Sequence, residues 1–481
     1  MFYGRAYELD RMNRLYDSNE HQTVVVYGRR RVGKTSLINE FCKGKRTLFF
    51  SALESTADRN LKALSKTISV FLHPRSPVNV EYASFDDALT EIYEVAQKER
   101  LVFVIDEFPY LAQADSSISS VLQHAIDHRF LKINIFIIIC GSSMSFMEEQ
   151  VLGHSSPLFG RRTAQFKIEP LDYLATADAH PELSPETKAL IYGVTGGVPH
   201  YINKLAVKTD KGFGNSIVDN LLERNGYLFE EPANLMKQEL REPATYNSII
   251  GAIAGGATRL NEVSTKTSLE YALCSKYISV LMNLGIVGKK EPICDNTKNK
   301  TLYFVKDNLF RFWYRFIPDN MSQIMAGGSK IVYETEVKPN LDHYMGSTFE
   351  DICRQYLITY ANVSFPIKEI GSWWGGNPDT KVREEIDIVA VNGKNAIFGE
   401  CKWQSVPIDV PVLKDLMRKS ELLHGFEKKQ YYLFSKSGFA PSLRKAADED
   451  DSIKLVSLAD IYGCQTAERS IGHYLPDQQT S

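Results

Sequence analysis

The sequence predicts an α/β protein in several parts: a parallel sheet flanked by helices, a helical segment, a middle unit of helices plus a hairpin, and a C-terminal α/β domain. Three observations carry that expectation. The first is Gly28-Arg29-Arg30-Arg31-Val32-Gly33-Lys34-Thr35, directly after the apolar run Val24–Tyr27. Its two glycines stand four residues apart, Lys and Thr follow, and a helical run from Ser36 to Cys42 comes next, which is the strand–loop–helix context of a phosphate-binding loop. The second is that Leu101–Ile105 and Ile133–Cys140 are apolar almost throughout, as strands of a parallel sheet buried on both faces are. The third is a late pair of strand-like runs, Glu385–Val391 and Ala396–Trp403, separated by an Asn-Gly turn signal.

With 481 residues the chain is too long for one ordinary core, so two or three domains are expected. The composition, 43% hydrophobic and 24% charged, is that of a soluble globular protein. A net charge of −3 excludes a global basic field, so any nucleic-acid binding needs a local patch. The longest apolar run, Ile135–Cys140, is far short of a membrane span, and no membrane partner is expected. The stretch Met1-Phe2-Tyr3-Gly4-Arg5 has no signal-peptide apolar core. Seven scattered cysteines without a Cys-x-x-Cys pair point to reduced thiols in the cytoplasm, not to a disulfide framework or a zinc site. The polar tail from Asp477 is expected to fray.

Along the first sheet the chemistry reads in order. Gly28 and Gly33 let the backbone curl so that successive N–H groups from Arg29 to Ser36 face one anion, at a helix N-terminus. Lys34 can reach the β- and γ-phosphates of a nucleoside triphosphate, and the Thr35 hydroxyl can ligate Mg²⁺. Asp106, at the C-terminal end of a buried strand, is where open α/β sheets bind ligands and would hold the Mg²⁺, mostly through water. Glu107 would orient and polarise the attacking water. The next strand ends in Gly141-Ser142-Ser143, where Ser142 or Ser143 could contact the γ-phosphate or the water; Ser143 could equally cap a helix from Met144 to Gln150. In Phe159-Gly160-Arg161-Arg162, Arg161 or Arg162 could spread phosphoryl charge, in cis or from a neighbouring subunit of an oligomer; a surface arginine pair is the alternative. Gly196-Gly197 reads as a turn and Pro199 as a helix start.

Together with Phe2–Leu9, these motifs resemble the archaeal-type ATPases, of the AAA+/STAND part of the P-loop NTPases. Thr195-Gly196-Gly197-Val198-Pro199 resembles that family's Gly-x-Pro lid segment. The resemblance implies ATP as ligand, with Gly4, Arg5 and Pro199 near the adenine and the lid closing over the nucleotide. It covers essentially the whole chain and gives an expected division into an ATPase core (1–180), a helical lid (181–240), a winged helix (241–318) and a nuclease-like domain (335–465).

The middle segment shows winged-helix order: helical runs at Tyr246–Ile253, Arg259–Val263 and Ser275–Leu284, then Ile286–Lys290 and Thr301–Val305 pairing around a polar loop, Asp295–Lys300. In such folds the third helix enters the major groove of DNA and the wing touches phosphate. That helix carries only Lys276 as a basic residue, whereas the wing offers Lys289, Lys290, Lys298 and Lys300. A spacer role without DNA is the alternative. Asn308–Phe316, rich in aromatics, reads as a buried helix between domains.

In the C-terminal part, Gly346–Tyr360 reads as a helix carrying Glu350, and Gly371–Gly376 as a glycine- and Trp-rich hairpin region. Asp387 lies on one strand; Glu400 and Lys402 alternate on the next and project to one face. An Asp followed by Glu-x-Lys resembles the PD-(D/E)xK core of restriction-endonuclease-like domains. There two carboxylates hold Mg²⁺ or Mn²⁺ and the lysine positions the nucleophilic water. The resemblance implies Glu350 as a further metal-site acid. Gln404, on the same face as Lys402, could contact the scissile backbone, and the helix from Val412 to Leu423 could track phosphates. The expected function is an ATP-hydrolysing switch coupled to a nucleic-acid-directed C-terminal half; the alternative is a regulatory ATPase whose C-terminal domain only binds DNA or a protein partner.

Overall fold

In the computed structural model, residues 2–75, 80–294 and 300–464 are described. They divide into two compact units, one of residues 1–171 with 198–200 and the other of residues 172–197 with those from 201 onward. Residues 172–180, assigned to the ATPase core from sequence, thus fall in the second unit.

The first unit is built on five strands, β1 (Gln22–Tyr27), β2 (Thr47–Ser51), β3 (Leu101–Asp106), β4 (Ile135–Gly141) and β5 (Ala164–Lys167), in the order β2-β3-β4-β1-β5. Every neighbouring pair is parallel. All residues of β1, β3 and β4 are buried, because helices cover both faces and each strand supplies apolar side chains to two cores. One core gathers Phe50, Phe103, Ile105 and Ile137; the other gathers Val24, Val26, Leu37, Phe41 and Ile138. Because β4 lies between β1 and β3, the ends of all three strands are neighbours.

The helix after the phosphate loop spans Lys34–Cys42, starting two residues before the expected Ser36. The expected helix Met144–Gln150 is helical only over Met144–Phe146 and continues as a wider turn through Met147–Val151.

In the second unit, helices Pro243–Ala254, Leu260–Thr267 and Tyr271–Asn283 share a core of Ile249, Val263, Ile278 and Leu281. They are followed by β6 (Val287–Lys290) and β7 (Leu302–Val305), an antiparallel pair. Lys298 and the loop from Asp295 lie outside the described residues up to Lys300, as does the tail from Asp477. Helix Asn308–Phe316 buries Leu309, Phe310, Phe312 and Phe316.

A mixed five-stranded sheet follows, of β8 (Glu369–Gly376), β9 (Arg383–Asn392), β10 (Asn395–Lys402), β11 (Lys428–Ser435) and β12 (Ile453–Ser457), ordered β12-β11-β10-β9-β8. The ladder is antiparallel from β8 to β10 and parallel from β10 to β12. Helix Leu341–Thr359 begins five residues before the expected Gly346. Gly346 lies inside that helix and neither starts nor breaks it. Gly371–Gly376 lies in β8, an edge strand that pairs antiparallel with the next strand, β9, as expected of a hairpin region.

Candidate functional site

The loop between β1 and helix Lys34–Cys42 is shaped by its two glycines. A Cβ on Gly28 would lie 2.3 Å from the Ile168 carbonyl oxygen, so the residues leaving β5 pack directly on the loop backbone. Gly33 has φ +95°, a left-handed value that side chains resist. Arg31, at φ +75°, is held in the same region without that freedom. Val32 is buried beneath the loop, Ser36 is exposed on the helix's first turn, and the Arg30 guanidinium donates to the Tyr110 hydroxyl at 2.6 Å.

Lys34 is 6% exposed. Its Nζ donates to the carbonyls of Gly28 at 2.8 Å and Arg29 at 2.9 Å, which places the ammonium inside the loop that an anion would enter. The Thr35 hydroxyl donates to Asp106 Oδ2 at 3.2 Å. A hydroxyl and a buried carboxylate sharing one spot form a hard-oxygen donor pair of the kind Mg²⁺ takes alongside phosphate oxygens and water, so the residues fit the ion. The other Asp106 oxygen accepts the Glu107 N–H at 3.0 Å.

Glu107 has φ +52°, a strained conformation for a residue with a Cβ. Its carboxylate accepts from the Ser142 hydroxyl at 2.9 Å and the Ser142 N–H at 3.3 Å. The strand ends therefore bring Lys34, Thr35, Asp106, Glu107 and Ser142 into one connected set.

Gly4 turns with φ +70° into Arg5, which is nearly buried. The Arg5 guanidinium donates to the carbonyls of Val32, at 3.1 Å, and Glu169, and pairs with Glu8 at 3.0 Å. Pro199 lies against Gly33, its ring 3.6 Å from where a Cβ would stand. Arg161 is engaged elsewhere: it forks onto Asp127 at 3.1 and 3.0 Å and donates to the Phe159 carbonyl. Arg162 lies over the Phe159 ring and donates to the Leu152 carbonyl.

The C-terminal sheet assembles a second constellation. The Lys402 ammonium is 2.5 Å from Glu400 Oε1. Glu400 is 7% exposed and its Oε2 is buried with no hydrogen-bond partner. The register pairing Ile388 with Gly399 sets Asp387 beside this strand end, where its Oδ2 accepts the Cys401 N–H at 2.9 Å. Burial, then the charge of Glu400, pushes the Asp387 carboxyl up to about 6, against that N–H and Lys402. Burial and the charge of Asp387 push Glu350 up to about 8, against Arg354 and Lys290. Burial disfavours the Lys402 ammonium, but Glu400 and Asp387 more than offset it, so Lys402 holds its proton more tightly than usual.

Arg354, not anticipated from sequence, ties this cluster together. It pairs with Asp351 and Glu350 and donates to Ser372 Oγ at 3.1 Å. The Glu350–Arg354 spacing of a shared helix face is the signal that could have found it. Gln404 is a correction: β10 ends at Lys402, the alternation lapses there, and the Gln404 amide donates to the Val406 carbonyl. Among the described residues no group of three or more His, Cys, Asp or Glu side chains is placed to hold a metal ion. The buried, unpartnered Glu400 oxygen stands beside Asp387, and the chemistry of these two carboxylates fits a divalent ion.

Residues 2–205 match a family described as an ATPase domain predominantly from Archaea, and residues 313–415 match a family of archaeal and bacterial proteins of unknown function. An uncharacterised protein of Methanocaldococcus jannaschii is 32% identical over 440 residues, covering 90% of this chain and 94% of its own length. The chain belongs to the archaeal-type ATPase family. An uncharacterised ATP-binding protein of the same organism is 44% identical to the ATPase over 46 residues, 10% of this chain and 78% of its own length. The fold of the Walker-type ATPase of Pyrococcus abyssi is similar, with TM-score 0.50 at 18% identity over 65% of this chain and 96% of that one. Among the described residues no helix is long and apolar enough to cross a membrane.

Proposed function

We propose that this ATPase is a nucleotide-driven switch whose C-terminal half acts on nucleic acid, cutting the phosphodiester backbone at Asp387, Glu400 and Lys402. The first reaction would run on the Lys34–Asp106 set. Thr35 and Asp106 would hold Mg²⁺, which supplies charge neutralisation on the phosphate oxygens. Lys34 would exchange its loop carbonyls for β- and γ-phosphate oxygens. Glu107, held by Ser142, would accept a proton from the attacking water. Gly4, Arg5 and Pro199 would frame the nucleotide, and the segment from residue 181 to 240 would close as a lid. Arg161 would act from a neighbouring subunit only on release from its fork onto Asp127.

The observation that carries the second reaction is the buried, unpartnered Glu400 oxygen beside Asp387 and Lys402. A second Mg²⁺ or Mn²⁺ held by Asp387 and Glu400 would supply an activated water, and Lys402 would orient it. The three helices with β6 and β7 read as a winged helix that presents DNA to this site.

A second reading gives the C-terminal half a binding role only, as in a STAND-type regulator. The Glu400–Lys402 pairing, which occupies the lysine, favours it. The two readings separate on plasmid and single-stranded substrates, with Mg²⁺ or Mn²⁺ and with or without ATP. Cleavage lost in Glu400→Ala supports the nuclease; salt-dependent binding with no cleavage by the wild type supports the regulator; cleavage that survives Glu400→Ala rules out this site. Lys34→Ala should abolish ATP turnover in either case.

A further inference from the structure

Lys290 ends β6 in the middle segment, yet its surroundings belong to the C-terminal sheet. Its ammonium lies 5.6 Å from the centre of the Trp374 ring. Trp374 pairs across the ladder with Glu385, two residues from Asp387. The chain beyond Lys290 stays on that sheet: the Ile293 N–H donates to the Ser372 carbonyl at 3.0 Å, and the Ile293 side chain packs on the C-terminal core. Ser372 accepts from Arg354 and donates its hydroxyl proton to the Asp387 carbonyl at 2.9 Å. The hairpin is thereby stitched to the edge strand and, through Ser372, to the backbone that positions Asp387.

Lys290 is half-buried and forms no salt bridge to a carboxylate among the described residues, although Glu350 feels its charge. Charges therefore follow one another from Lys290 to Glu350, which Arg354 also pairs, and on through Asp387 and Glu400 to Lys402. A polynucleotide lying across metal-loaded carboxylates needs cations for its flanking phosphates. A wing lysine aimed into a DNA groove would instead stand clear of the neighbouring sheet.

We propose that Lys290 is a phosphate-binding residue of the C-terminal carboxylate site, so that one polynucleotide strand is held jointly by the middle hairpin and Lys402. The assignment rests on the nucleic-acid reading above. It makes the hairpin and the carboxylate cluster one binding surface, not two.

The test uses the full chain and a fluorescently labelled oligonucleotide, single-stranded and duplex, with Ca²⁺ in place of Mg²⁺ to hold the strand uncut. Lys290→Ala should weaken binding by roughly three- to tenfold and lower the slope of log affinity against log salt by about 0.7–0.9, one phosphate contact. Lys290→Arg should restore both, and ATP turnover should stay at the wild-type level in both variants. If Lys290 merely offset Glu350, Lys290→Ala would change thermal stability and leave the salt slope where it was, and the assignment would fall alone. If the wild type binds no oligonucleotide while turning over ATP, the nucleic-acid reading falls and takes this one with it.

Discussion

Replacing Glu350 by glutamine tests whether the C-terminal carboxylates are as crowded as their geometry says. Burial and the Asp387 charge push the Glu350 carboxyl from 4.5 to about 8. The folded chain therefore keeps a proton that the unfolded chain releases above 4.5, and it loses stability as pH rises through that window. At ~1.4 kcal/mol per pH unit the full displacement corresponds to ~5 kcal/mol. Asp387 shares the same field and titrates together with Glu350, so roughly half of that is the expected effect of one substitution. Glu350→Gln should match the wild type near pH 4.5 and be about 2–3 kcal/mol more stable at pH 8.5, without added divalent metal. Tryptophan fluorescence in urea suits the measurement, because all four tryptophans, Trp313, Trp373, Trp374 and Trp403, lie in the second unit. Equal stability of the two proteins at both pH values would mean that Glu350 is solvated, and the account of a desolvated cluster would be wrong.

Other substitutions probe the ATPase site. Ser142→Ala removes the hydroxyl that holds Glu107 and should lower kcat about tenfold with little change in KM; steady-state turnover with an unchanged kcat would end the positioning role. Gly28→Ala sets a methyl 2.3 Å from a backbone oxygen, which no side-chain rotation relieves, so a loss of ~2–4 kcal/mol and of the ATP·Mg²⁺-induced rise in Tm is expected. A normal nucleotide-induced rise would show that the loop adapts. Arg161→Ala should reduce turnover while ATP binding persists, with the deficit growing as protein concentration rises if the residue acts across subunits; concentration-independent turnover at the wild-type rate would leave Arg161 only its pairing with Asp127.

The ATPase site was legible in the sequence because its signals are local. Two glycines at fixed spacing, Lys34-Thr35 at a helix start and acids closing an apolar strand each carry their chemistry within a few residues, and a parallel sheet brings such strand ends together. Asp387, Glu400 and Lys402 were legible for a related reason: strand alternation and a tight turn set their register. What escaped lies between segments far apart in the chain. Nothing near Arg161 announces Asp127 as its partner, and nothing near Lys290 announces Trp374. Gln404 leaves the face of Lys402 because strand alternation holds only as far as β10 itself, which ends two residues earlier. Gly346 looks like a boundary in sequence, yet helix Leu341–Thr359 runs through it, and the buried Tyr344 and Met345 before it continue the apolar face.

Arg5 gathers the carbonyls of Val32 and Glu169 onto one guanidinium, so three stretches of chain distant in sequence share a single fastening. Trimming the first few residues would leave two inward-facing oxygens unsatisfied and loosen the floor of the nucleotide loop from below. Shortened versions of this protein should therefore keep that arginine, even where the opening residues look dispensable.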